Sequence, residues 1–179
     1  RDERQTLRLA LQAALLRHAR GDSGALDTQA PELLERAQRL GDVRVQAECR
    51  FALARLATGE ARFDEAQRLL EDGGAQLLEA GDTRRALSMA ASASLLHGLR
   101  GQPAVATTAL ERLLPRLAAQ QDTATALVVR ASLALQRLRL GDVPAALEEA
   151  GHVRHALEAA ALGTSDTLVA LRYLLETLR

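Results

Sequence analysis

A period of forty residues governs this chain. The segments Ala61-Arg-Phe-Asp-Glu-Ala66, Gly101-Gln-Pro-Ala-Val-Ala106 and Gly141-Asp-Val-Pro-Ala-Ala146 stand forty apart, and a fainter copy, Gly21-Asp-Ser-Gly-Ala-Leu26, stands forty before the first. A second column runs half a period out of phase, through Gly41-Asp-Val43, Gly81-Asp-Thr83 and Gln121-Asp-Thr123. A residue suited to ending a helix, followed by a polar residue suited to starting one, thus recurs about every twenty positions, the punctuation of paired helices. One pair alone cannot bury its apolar face, but stacked pairs can. The sequence therefore predicts an all-α, right-handed superhelical α–α solenoid. It has about nine helices in a single domain over 1–179, with repeats near 2–40, 42–80, 82–120 and 122–162 and a final half repeat at 166–179.

Within the repeats, apolar residues recur at helical spacing. The first helix carries Leu9, Ala13 and Leu16, and the same columns return as Cys49, Leu53 and Leu56, then Met89, Ala93 and Leu96, then Val129 and Leu133, with Gln136 in place of Leu. Asp42, Asp82 and Asp122 are placed to cap the helices that follow them. Three features interrupt the regular pattern. Pro31 predicts that the second helix starts late or bends, and Pro115 predicts a kink or break near Glu111 to Pro115. Gly73-Gly74 lies inside a predicted helix at a cost of about 1 kcal/mol per glycine, which implies a bend or an unusually close neighbouring backbone. No segment alternates like a strand.

Composition narrows the function. Basic and acidic residues balance at 23 each, for a formal net charge of zero. That leaves no basic surplus for phosphate neutralisation. Phe51, Phe63 and Tyr173 are the only aromatics, too few to stack exposed bases. Every basic residue is Arg, so neither a Schiff-base lysine nor a phosphate-loop lysine exists in the chain. No run reaches the roughly 18 apolar residues of a membrane span. Direct nucleic-acid binding and membrane insertion are therefore not expected, and the expected location is cytoplasmic. Cys49, the sole cysteine, falls in an apolar column and is read as a core residue.

The segment from Leu53-Ala54 through Ala61-Arg-Phe-Asp-Glu-Ala66 to Leu70 resembles the tetratricopeptide repeat: a small residue on the first helix, a Gly-x-aromatic-x-x-Ala turn, then an apolar residue four positions on. Gly101-x-Pro-x-x-Ala106 with Leu110, and Gly141-x-Val-x-x-Ala146 with Ala150, look like weaker copies. The chain departs from the family in its repeat of forty residues against about 34, and in lacking the pattern's Trp, Tyr and closing Pro. Such longer repeats look like the superhelical domains of large bacterial transcription activators of the maltose-activator and antibiotic-regulatory types.

The resemblance implies a non-catalytic scaffold that binds a protein or peptide, as part of a bacterial regulatory protein. The alternative is a domain that senses a small-molecule effector. In tetratricopeptide arrays the first helix of each pair lines the concave groove. The positions carried over are Arg8, Leu11 and Leu15, then Glu48, Phe51 and Arg55, then Ser88 and Leu95, then Val128 and Leu135. Arg8 and Arg55 are suited to gripping a carboxylate, or else are solvated surface residues. The family's Lys-Asn-Arg carboxylate clamp is not supported here.

Other sites are weaker. His152 and His155 lie three apart, after Glu148 and Glu149, and read as solvated helix-face residues because zinc enzymes space two histidines four apart around a Glu. Ser92 and Ser94 lack His and Asp companions. No enzyme activity, cofactor or metal is expected. The last predicted helix carries Leu168, Leu171, Leu175 and Leu178 without a partner, so a homodimer through residues near Leu171 and Leu175 is a possible association.

Overall fold

The structure is a computed structural model that describes residues 2–20 and 22–159. Among these, eight helices follow one another: α1 (Asp2–Ala19), α2 (Ser23–Arg39), α3 (Val43–Gly59), α4 (Phe63–Glu79), α5 (Thr83–Leu99), α6 (Pro103–Ala119), α7 (Thr123–Arg139) and α8 (Val143–Ala159). No strand occurs among the described residues. The expected ninth helix, with Leu171 and Leu175, lies outside them.

The helices end by one device repeated every twenty residues. Gly41, Gly81, Gly101 and Gly141 have φ between 63° and 81°, and Ala61 and Gln121 take the same left-handed conformation at 59° and 53°. At each turn two backbone bonds close the helix end. Asp42 N–H donates to Ala37 O at 3.0 Å and Gly41 N–H to Gln38 O at 3.1 Å, and the pattern repeats through Asp142 and Gly141. The next helix starts at once where an aspartate follows. Asp42 accepts from Val45 N–H, Asp82 from Arg85 N–H, Asp122 from Thr125 N–H and Asp142 from Ala145 N–H, at 3.2 to 3.3 Å. Ala61 and Gln121 carry a Cβ into a backbone region that costs an L-residue about 1–2 kcal/mol. Ala61→Gly and Gln121→Gly should each stabilise the chain by about 0.5–1 kcal/mol, after the greater freedom of the unfolded glycine is subtracted. A urea midpoint that does not rise would contradict the strain.

The chain divides into two compact units, Arg1–Met89 and Ala90–Arg179, with the border inside α5. In the first unit α1 packs on α2, α2 on α3, α3 on α4, and α1 also touches α3. Its core joins Leu7, Leu11 and Ala14 of α1 to Leu26, Ala30, Leu33 and Ala37 of α2 and to Val45, Cys49 and Ala52 of α3. Polar side chains lock the layers together: Gln46 donates to Ala37 O at 3.2 Å, and Arg50, itself buried, donates to Gln76 at 2.7 Å. In the second unit α7 packs between α6 and α8, with Ala131 and Ala134 against Ala150, Val153 and Leu157. Alanines at these contacts let helices approach closely while leucines supply most of the buried area.

Three expectations change. The α1 stripe is out of phase: Leu9 and Leu16 are 58% and 61% exposed, Ala13 is exposed, and the buried face is Leu7, Leu11 and Ala14. The column itself holds further along, where Cys49, Met89 and Val129 are buried. Cys49 packs against α1 and α2, and no helix precedes α1 among the described residues to do the same for Leu9. Pro31 does not delay or break α2, nor Pro115 α6. Each proline is exposed, as are Asp27 and Glu111 four residues before them, so the carbonyl that loses its donor faces water. Gly73-Gly74 leaves α4 continuous, and the close neighbour is a side chain rather than backbone. A Cβ on Gly73 would stand 2.5 Å from Met89 Cε, so the missing side chain of Gly73 is the seat of Met89.

Candidate functional site

The first unit holds a cleft of about 370 Å³, within the range of small binding sites. Helical spacing places its walls. On α3, Glu48, Phe51, Ala52 and Arg55 fall at i, i+3, i+4 and i+7, one face of the helix. On α1 Leu11, Gln12 and Leu15 face them, and on α5 Arg85, Ser88 and Met89 do. Ala47 and the α4 residue Leu77 complete the lining. Leu11, Leu77 and Met89 are 1%, 1% and 4% exposed, so they form a floor, while Leu15, Glu48 and Phe51 are half-buried and Arg55 is exposed.

The charges divide into spent and unspent. Arg85 donates to Asp82 Oδ2 at 2.8 Å, and Arg44 Nε lies 3.2 Å from the same oxygen. Burial raises the Asp82 pKa, but the bonds from Arg85 and the nearby Arg44 outweigh it, and the net displacement is downward. Asp82 is thereby held ionised, and Arg85 reaches the cleft with its guanidinium already bonded to a carboxylate that it shares with Arg44. Glu48 and Arg55 differ. Neither takes part in a hydrogen bond or ion pair among the described residues.

Of the residues expected to line a groove, Leu11, Leu15, Glu48, Phe51, Arg55 and Ser88 meet in this one cleft. Arg8 does not. It lies 3.5 Å from Asp42 and lines a separate concavity of about 610 Å³ with Arg4 and Arg44. Three arginines there suggest an anion site, but Arg4 donates to Leu40 O, Arg8 to Asp42 and Arg44 pairs with Asp82, so each cation is already engaged. Leu95, Val128 and Leu135 belong to the second unit and do not line the cleft. Leu135 is 8% exposed, which leaves little of it for a ligand to touch.

The sequence missed Leu77 and Arg85 and assigned Met89 only to the core. Met89 serves both purposes, and Gly73-Gly74 is the one sequence signal that α4 and α5 lie close enough for this. In the second unit, His152 and His155 are exposed, and Glu149 is already bound by Arg130 and Arg137 at 2.7 and 3.1 Å. Among the described residues no group of three or more His, Cys, Asp or Glu is placed to hold a metal.

The cleft brings apolar and charged side chains together. No histidine lines it beside Ser88. Cys49 does not line it and is fully buried, and burial first, then the Glu48 charge, push its thiol up to about 12 against a smaller opposing effect of Arg50. A thiol in that state is a core group and not a nucleophile. No helix of the described residues is long and apolar enough to cross a membrane. No family model, curated protein or solved structure matches the chain.

Proposed function

We propose that this chain is a non-catalytic, tetratricopeptide-like scaffold whose stacked helix pairs form part of a superhelix, and that it binds a peptide segment of a protein partner in the cleft of the first unit. The observation that carries this is the convergence of six positions. Leu11, Leu15, Glu48, Phe51, Arg55 and Ser88 stand at the positions that the tetratricopeptide resemblance assigns to a groove, and they line one concavity. Its apolar floor supplies affinity by desolvation, and its rim supplies charged groups that discriminate between ligands. By its resemblance to the long-repeat activators, the scaffold belongs to a bacterial regulatory protein.

Panning a phage-displayed random peptide library over the immobilised chain tests this. Wild type should enrich sequences that share a bulky apolar residue. Phe51→Arg should reduce their capture at least tenfold, because a half-buried aromatic wall becomes a charge. Leu147→Arg, at a position 55% exposed on α8, should leave capture unchanged. No enrichment, or enrichment indifferent to Phe51→Arg, would count against the proposal.

A further inference from the structure

We infer that the cleft takes a short extended segment in which a bulky apolar side chain lies between a basic residue, met by Glu48, and an acidic residue, met by Arg55. This rests on the peptide-binding reading above and adds the chemistry of the ligand.

Two charges at the cleft, Glu48 and Arg55, are left unpaired among the described residues. Glu48 is half-buried, borders the apolar floor and has no partner among the described residues. Any ligand that covers Phe51 removes more water from Glu48. A carboxylate losing water without gaining a donor is penalised heavily. The ligand must therefore bring a cation to that end, and a phosphate-rich or purely apolar ligand is disfavoured. Arg55 stands two turns further along the same face, with its guanidinium free to take a carboxylate through two parallel bonds. Arg85, by contrast, is already tied to Asp82, a carboxylate it shares with Arg44, so Arg55 is the cleft arginine left to take a ligand carboxylate.

Spacing sets the kind of segment. Seven residues of helix separate Glu48 from Arg55, about 10 Å along the axis. A segment in the extended polyproline-II form advances about 3.1 Å per residue and returns to the same face every third residue, so the ligand's two charges stand three positions apart on the cleft side with the apolar residue between them. A volume of about 370 Å³ holds the side chains of such a segment and not a whole helix.

Fluorescence anisotropy with defined peptides decides it. The cores, in Gly-Ser flanks with blocked ends, are Arg-Phe-Ala-Glu, its reversed order Glu-Ala-Phe-Arg, the neutral Gln-Phe-Ala-Gln and the doubly acidic Glu-Phe-Ala-Glu. One of the two mixed-charge orders should bind wild type at least tenfold more tightly than the neutral peptide. Glu48→Arg should invert the preference, losing the mixed-charge peptide about tenfold and favouring the doubly acidic one. Arg55→Gln should remove most of the advantage over the neutral peptide. Thermal melts followed by circular dichroism establish that the variants are folded. Equal binding of all four peptides, abolished together by Phe51→Arg, would overturn the charge inference and leave the cleft as a peptide site. Binding of none of them to wild type would overturn the charge inference. The library result would then decide the peptide-binding reading by itself.

Discussion

Leu77→Ala is expected to lower the unfolding free energy by about 3 kcal/mol, and Leu9→Ala by less than about 0.5 kcal/mol. Both remove the same atoms from a helix of the first unit. Leu77 is 1% exposed in α4, directly under the cleft, whereas Leu9 is 58% exposed on α1. Truncating Leu77 forfeits its transfer free energy and leaves a void, because Leu11 and Met89 are held by their own helices. The void opens toward the cleft. Water can enter it, which places the cost near the middle of the observed range for such substitutions. Leu77→Ala should also weaken peptide capture, since the floor beneath Phe51 is lowered. Urea unfolding of the three proteins, compared at constant slope, measures both values. Equal losses at the two positions would mean that Leu9 is covered in solution.

The same pair shows how much of this molecule is legible in its sequence. The period, the turns and the caps are local chemistry, written in Gly41, Gly81, Gly101 and Gly141 and in the aspartates that follow them, so they can be read directly. The apolar column through Cys49, Met89 and Val129 is equally legible, because those three residues meet the same kind of surroundings. Leu9 has the same column number and different surroundings. A repeat pattern records what a position faces in the middle of an array, and α1 is not in the middle of the described helices. Pro31 and Pro115 mislead for a related reason: the rule that proline breaks helices assumes a carbonyl with nowhere else to turn, and on an exposed face water serves.

The cleft was half legible. The tetratricopeptide resemblance, carried along the first helix of each pair, points to Leu11, Leu15, Glu48, Phe51, Arg55 and Ser88, but Leu77 enters from a second helix that it leaves out. Arg8 shows the opposite failure. It shares a column with Glu48, yet Asp42 draws its side chain to a different concavity. Pairings across helices are set by packing and reach, and a forty-residue register carries no information about them.

The clearest such pairing lies in the second unit, where it carries the other large expected effect. Glu149 of α8 has a side chain only 9% exposed, and it accepts from Arg130 at 2.7 Å and from Arg137 at 3.1 Å, both on α7. Arg137 also reaches Glu111 of α6 at 2.9 Å. That bond is the largest influence raising its pKa, against the opposing effect of burial. One acid is thus shielded from water and held by two cations that are themselves 35% and 20% exposed. Arg137→Leu alone should cost about 1–3 kcal/mol, since Arg130 still compensates Glu149. Adding Arg130→Leu should bring the loss to about 3–5 kcal/mol, because a buried carboxylate is then left with no arginine and only the imidazole of His152, 3.9 Å away. Adding Glu149→Leu should restore most of it, because the buried carboxylate goes together with its desolvation penalty, and Glu111, which also loses Arg137, has a side chain 46% exposed to water. Urea unfolding of the single, double and triple variants tests this sequence of losses and recovery. A triple variant no more stable than the double would show that the arginine stems, through their packing, and not the charge of Glu149, hold α6, α7 and α8 together.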